Sequence, residues 1–134
     1  MKKFENDYVA IWIDDDILFS NYKKQLSLDI ASAKQIVKDR VEFTGGKSYF
    51  ILIDFTNLKS TTKEARDYMN DPNGGLTGLL GGAFLSNNVV ATLFVNLYLK
   101  VNNPAIPAKF FTNKAEAISW LKKVKIENNQ LASI

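Results

Sequence analysis

The sequence predicts a single α/β domain with a mixed sheet of about five strands in the order ββαβαβαβα. Its centre is parallel, a β-hairpin opens the chain, and helices pack on the sheet. Two observations carry this. Tyr49 to Phe55, YFILIDF, is a nearly continuous apolar run of strand length, which suits a strand covered on both faces. Around it, segments of helical periodicity alternate with short β-rich runs, and strands alternating with helices pair in parallel through right-handed crossovers.

Tyr8 to Ile13 and Ile17 to Tyr22 read as the hairpin, with Asp14, Asp15 and Asp16 at its turn. A turn is where Asp finds local hydrogen bonds, so the acids are expected there rather than around a hard cation. Ser27 is the expected N-cap of a helix whose apolar face is Ile30, Ala33, Ile36, Val37 and Val41, ending at Gly45 and Gly46. After the central strand, Thr56 to Thr62 reads as a polar loop leading into a short helix, TKEARDYM. NDPNGG from Asn70 is a turn-rich loop inside the domain, and Leu79 to Leu85 is a strand.

A helix is expected from about Ser86 to Val101, its only polar line being Thr92, Asn96 and Lys100. A helix so apolar must be buried on several sides, by core, a second subunit or a ligand. Ala108 to Phe111 supplies a last strand, and Thr112 or Asn113 caps a final helix, with Asn113 and Glu116 spaced as a capping box. Ala117, Trp120, Leu121 and Val124 form its core stripe. The ordered core is expected over 7–125, with a frayed tail over 126–134.

Cys and His are both absent, which removes disulfides, thiolate nucleophiles, the commonest general base and the commonest nitrogen ligand. No metal or cofactor is expected. The net charge of +3 comes from scattered lysines without interleaved aromatics, so no nucleic-acid partner is expected either. The apolar stretch from Leu79 to Val101 is interrupted by Ser86, Asn87, Asn88 and Asn96, which argues against stable membrane insertion. With Glu5 and Asp7 where an export signal would be apolar, the expected location is the bacterial cytoplasm.

The C-terminal third resembles small uncharacterised bacterial proteins of the STAS and SpoIIAA-like group. The residues that carry the resemblance are Asn96, Pro104 and Pro107, then Phe111-Thr112, then Ala117, Trp120 and Leu121. IDFTNLKSTTKEAR extends it to the strand and helix before. The resemblance implies a SpoIIAA-like fold and a non-enzymatic regulatory or protein-interaction module. Similar anti-sigma factor antagonists carry a phosphorylated Asp-Ser pair after this strand; here Thr61, Thr62, Lys63 and Glu64 stand instead, without that pair.

Two places are singled out. One is a polar edge at the carboxyl ends of the parallel strands, made by Asp54, Thr56, Ser60, Thr61, Thr62, Ser86, Asn87, Asn88, Thr112 and Asn113, suited to a ligand or a protein partner. Each of these also reads as an ordinary turn or helix-capping residue. The other is the Val89–Val101 helix, where Val90, Phe94, Leu97 and Tyr98 would face a SEC14-like lipid or other apolar ligand, or a homodimer partner. An enzyme using Asp54 with Lys59 or Lys63 ranks last.

Overall fold

Two aspartates with positive φ set the register of the N-terminal hairpin. In the computed structural model, which describes residues 2–87 and 105–132, β2 (Val9–Asp14) and β3 (Ile17–Tyr22) are joined by Asp15 at φ 51° and Asp16 at φ 63°. Consecutive left-handed residues give the mirror-image turn that matches antiparallel strand twist, and Asp tolerates that region better than most residues. Trp12 then stacks on Phe19 across the pair, ring centroids 5.4 Å apart.

The main sheet runs β1-β2-β3-β5-β7-β8, with β1 at Lys3–Glu5, β5 at Tyr49–Asp54, β7 at Leu79–Leu85 and β8 at Ala108–Phe111. β1 and β2 are antiparallel to their neighbours, whereas β3, β5, β7 and β8 are mutually parallel. The apolar run at Tyr49 is central, as its composition requires. Alternate residues of β5 feed two cores. Ile51 and Ile53 join Val9, Ile11, Leu18, Ala33 and Ile36 on one face, while Phe50 and Leu52 join Ile17, Phe19, Leu85, Ala117 and Leu121 on the other.

Helix α1 (Ile30–Thr44) is capped by Asp29, not by Ser27. The Asp29 carboxylate accepts from the Ser32 backbone N–H at 2.8 Å, and the Asp29 N–H donates to Ser32 Oγ at 3.0 Å. Ser27 instead belongs to a short strand, β4 (Leu26–Leu28), paired in parallel with β6 (Leu58–Thr61). The expected polar loop after β5 is therefore partly a strand, and the expected five strands become eight among the described residues. The three strands without a sequence signal, β1, β4 and β6, are three or four residues long, too short to show a period.

Gly45 ends α1 at φ 63°, as expected of a left-handed C-cap. Thr62 caps α2 (Lys63–Met69), accepting from the Ala65 N–H. α3 runs over Lys114–Ala132, so the helix continues through the segment expected to fray from Ile126. Ser86 and Asn87 are not helical. The rest of the expected apolar helix, with Asn88, Val90, Phe94, Leu97 and Tyr98, lies outside the described residues. Among those described, no helix is long and apolar enough to cross a membrane.

Candidate functional site

Pairing of β5, β7 and β8 brings much of the predicted polar edge together. Asp54 is in register with Leu85, Leu85 with Phe111, and the Ser86 N–H donates to the Phe111 carbonyl at 3.2 Å. Asp54–Thr56, Ser86–Asn87 and Thr112–Asn113 therefore leave neighbouring strands side by side. Ser60, Thr61 and Thr62 stand apart, on β6 and its junction with α2.

Local bonds occupy most of these groups. Asp54 Oδ1 accepts the Thr56 N–H at 3.0 Å, Thr62 Oγ1 the Ala65 N–H at 3.1 Å, and Asn113 Oδ1 the Glu116 N–H at 3.0 Å. Asn113, rather than Thr112, is thus the cap of α3. Ser86 is fully buried, which removes it from the exposed edge. Ser60 Oγ bonds the Ser27 hydroxyl at 3.2 Å on an exposed surface. The Lys63 ammonium sits 2.7 Å from Asp67, four residues along its own helix, and so serves α2.

The acidic hairpin turn is taken up by lysines. Lys122 lies 3.0 Å from Asp15, and Lys125 and Lys47 lie 2.9 and 3.6 Å from Asp16. The hydrogen bond from Lys125 holds the Asp16 carboxyl below its ordinary range. Among the described residues no cluster of acids is placed to hold a metal ion.

A second locus lies on the sheet face beneath α1 and α2. There the side chains of Ile51, Ile53, Phe55, Leu79, Met69 and Phe84 line a partly open apolar cavity of about 110 Å³. Its space comes partly from Gly82, which lines it without a side chain. Of the residues singled out in the sequence, Thr61 is the one described residue that reaches this cavity.

Thr61, Arg66 and Asn70 also line it, Arg66 donating to the Thr61 carbonyl at 3.2 Å, and two further polar side chains stand in its wall. Arg40 is only 3% exposed, and its Nη2 donates to the carbonyls of Gly75 and Thr77, each at 2.8 Å. Among the described residues its Nε and Nη1 have no hydrogen-bond partner, and no carboxylate pairs with it. Tyr22, 7% exposed, likewise lines the cavity with no partner for its phenol. Since no fully buried polar side-chain atom is left orphaned among the described residues, these nitrogens and the phenol oxygen keep some exposed surface. Burial pushes the Tyr22 phenol up to about 12 and pulls Arg40 down to about 10.

Sequence reasoning missed Arg40, although a signal was present. It lies seven residues after Ala33 and four after Ile36, on the apolar stripe of α1. A charge on the buried stripe of an amphipathic helix is the observation that should have marked it. Val41, expected on that face, is only half-buried.

With the fold and both loci established, kinship follows. The model of the family called Domain of unknown function (DUF7793) matches residues 11–125. The chain belongs to the DUF7793 family. No curated protein matches this family member. Among solved structures it is similar to an uncharacterised protein from the DUF3478 family, with a SpoIIAA-like fold, from Shewanella loihica PV-4. That likeness has a TM-score of 0.60 at 17% identity and covers 88% of this chain and 98% of the other. Identity at this level speaks for the fold alone, and the DUF7793 chain shares the SpoIIAA-like fold that the Trp120 and Phe111 motifs imply.

Proposed function

We propose that this chain is a non-enzymatic binding module of SpoIIAA-like fold whose cavity beneath α1 and α2 holds a small apolar ligand. The observation that carries the reading is the cavity itself. Its walls come from six strands and two helices, so a bound molecule would join the two-stranded β4–β6 unit to the main sheet. Close-packed interiors leave few spaces of this size, which marks this one out. Its volume, about 110 Å³, is well below the roughly 300–1,000 Å³ of sites for larger ligands. A whole SEC14-type lipid is therefore a poor fit, and a single ring or short chain a good one. The lack of His and Cys, and the local engagement of Asp54 and Lys63, favour binding over catalysis.

Benzene titration, followed through the methyl NMR signals of Ile51 and Ile53, tests this. Saturable shifts at those methyls are expected. Gly82→Ala, whose Cβ would meet Ile51 Cγ2 at an ordinary 3.5 Å, should weaken them, and Gly82→Val should abolish them, with folding checked by the remaining methyl signals. Methyl signals that ignore benzene would overturn the reading.

A second reading keeps the polar edge as a docking surface for a regulatory protein partner. It is favoured by the exposure of Asn87, Thr112 and Asn113 on adjacent strand ends and of the Ser27–Ser60 hydroxyl pair. Kinase treatment with mass-spectrometric mapping tests the phosphorylated form, which fails if Ser60, Thr61 and Thr62 stay unmodified. Sedimentation at several concentrations tests the homodimer form.

A further inference from the structure

We infer that the ligand of this cavity is a small organic acid, its carboxylate held by Arg40 and Tyr22 and its apolar body by Ile51, Ile53 and Phe84. The inference rests on the cavity reading above and adds the chemical class of the ligand.

A guanidinium is almost never fully buried without an acidic partner, because desolvating a charge is costly unless an opposite charge compensates it. Arg40 is 3% exposed, and no carboxylate among the described residues forms an ion pair with it. The carbonyls of Gly75 and Thr77 satisfy Nη2 but are neutral, so they orient the cation without cancelling it. Those two bonds hold the guanidinium in one place and leave Nε and Nη1 as donors. Tyr22 lies close enough that the Arg40 charge acts on its phenol, which supplies a second donor at the same wall.

Arg40 has no carboxylate beside it and calls for one negative charge, which a carboxylate supplies; Arg66, also in the wall, donates to the Thr61 carbonyl at 3.2 Å. Size sets the remainder. An engineered apolar cavity of roughly 150 Å³ takes one benzene ring, so the present volume, about 110 Å³, suits a body of about five or six carbons. A charge-assisted hydrogen bond in such a site exceeds a neutral one. Hence an acid should outbind its isosteric alcohol.

The test is a comparison of hexanoate with 1-hexanol on the wild-type protein at pH 7, by calorimetry and by the Ile51 and Ile53 methyl signals. Hexanoate is expected to bind at least about tenfold tighter, a difference of about 1.4 kcal/mol. Arg40→Met, of similar reach but neutral, should erase the preference while 1-hexanol still binds. The wild-type comparison stands even if that variant fails to fold. Equal affinities for acid and alcohol would overturn the inference and leave the cavity reading intact. If hexanoate, 1-hexanol and benzene all leave the methyls unmoved, both fall together.

Discussion

Adjacent glycines in β7 show how finely position decides cost. A Cβ at Gly81 would meet the Phe50 ring carbons at 2.8 Å, closer than real contacts allow, whereas at Gly82 the nearest atom is 3.5 Å away. Phe50 is itself buried in the lower core and has little room to yield. Gly81→Ala should therefore lower stability by about 1–3 kcal/mol, whereas Gly82→Ala should be close to neutral. Urea midpoints of the two variants, measured side by side, check this; equal midpoints would refute it.

Tyr22 makes a second prediction at this scale. Its phenol is pushed by burial from an ordinary 10.0 to about 12 in the folded chain. The unfolded chain then loses that proton first, so the contribution is fully present below pH 10 and is lost as pH rises through 12. A rise of that size corresponds to roughly 2–3 kcal/mol. Tyr22→Phe cannot ionise, so between pH 9 and pH 11 it should lose less stability than wild type. Parallel losses in the two proteins would show that the phenol is not the cause.

Among elements, the hairpin turn is the joint that ties the N-terminal strands to α3. Asp16 receives Lys125 from α3 at 2.9 Å and Lys47 from the α1–β5 connection at 3.6 Å. The Lys125 hydrogen bond depresses the Asp16 pKa below its ordinary 3.8. A depressed carboxylate stabilises the fold above its unfolded pKa and loses that contribution as pH falls through the folded one. Asp16 is half exposed and Lys125 partly so, and solvent and salt keep the contribution small. Lys125→Ala should lower Tm slightly at pH 7 and not at pH 2. A deficit that persists at pH 2 would point to lost packing of the lysine stem instead.

The elements also show where sequence patterns carried through. YFILIDF announced the central strand because both its faces are covered, which leaves no polar alternation. Gly45 and Asn113 announced helix ends because a left-handed cap and an N-cap each select for particular residue types. Ser27 misled for the same reason in reverse. Ser and Asp are both good caps, and the choice between Ser27 and Asp29 depended on the pairing of β4 with β6, more than thirty residues away, as Ser60 bonding Ser27 shows.

At the scale of the whole molecule, β5 binds the two cores into one unit. Its odd residues, Ile51 and Ile53, lie in the upper core and its even residues, Phe50 and Leu52, in the lower. Neither core can lose its packing without disturbing the strand that serves both. Unfolding is thus expected to be a single transition, with calorimetric and van't Hoff enthalpies equal and a heat-capacity change of about 1.6–2 kcal/mol/K for a chain this long. Separate transitions reported by the Ile51 and Ile53 methyls and by Trp120, or a van't Hoff enthalpy well below the calorimetric one, would show that the layers part independently.

By itself the sequence determined the class of fold, the central strand, the hairpin turn, the C-terminal end of α1 and the start of α3. Each of these depends on residues close together in the chain, where backbone preference and periodic burial act. Only the tertiary structure decided what those elements enclose. The cavity draws on residues from Tyr22 to Ala108, and Arg40 acquires meaning only when Gly75 and Thr77 reach it from a loop beyond α2. The polar edge was legible as a set of residue types, yet its hydroxyls and amides turned out to be largely spent on their own turns and caps. A site is a convergence of distant side chains, and convergence is a property of packing that no local pattern records.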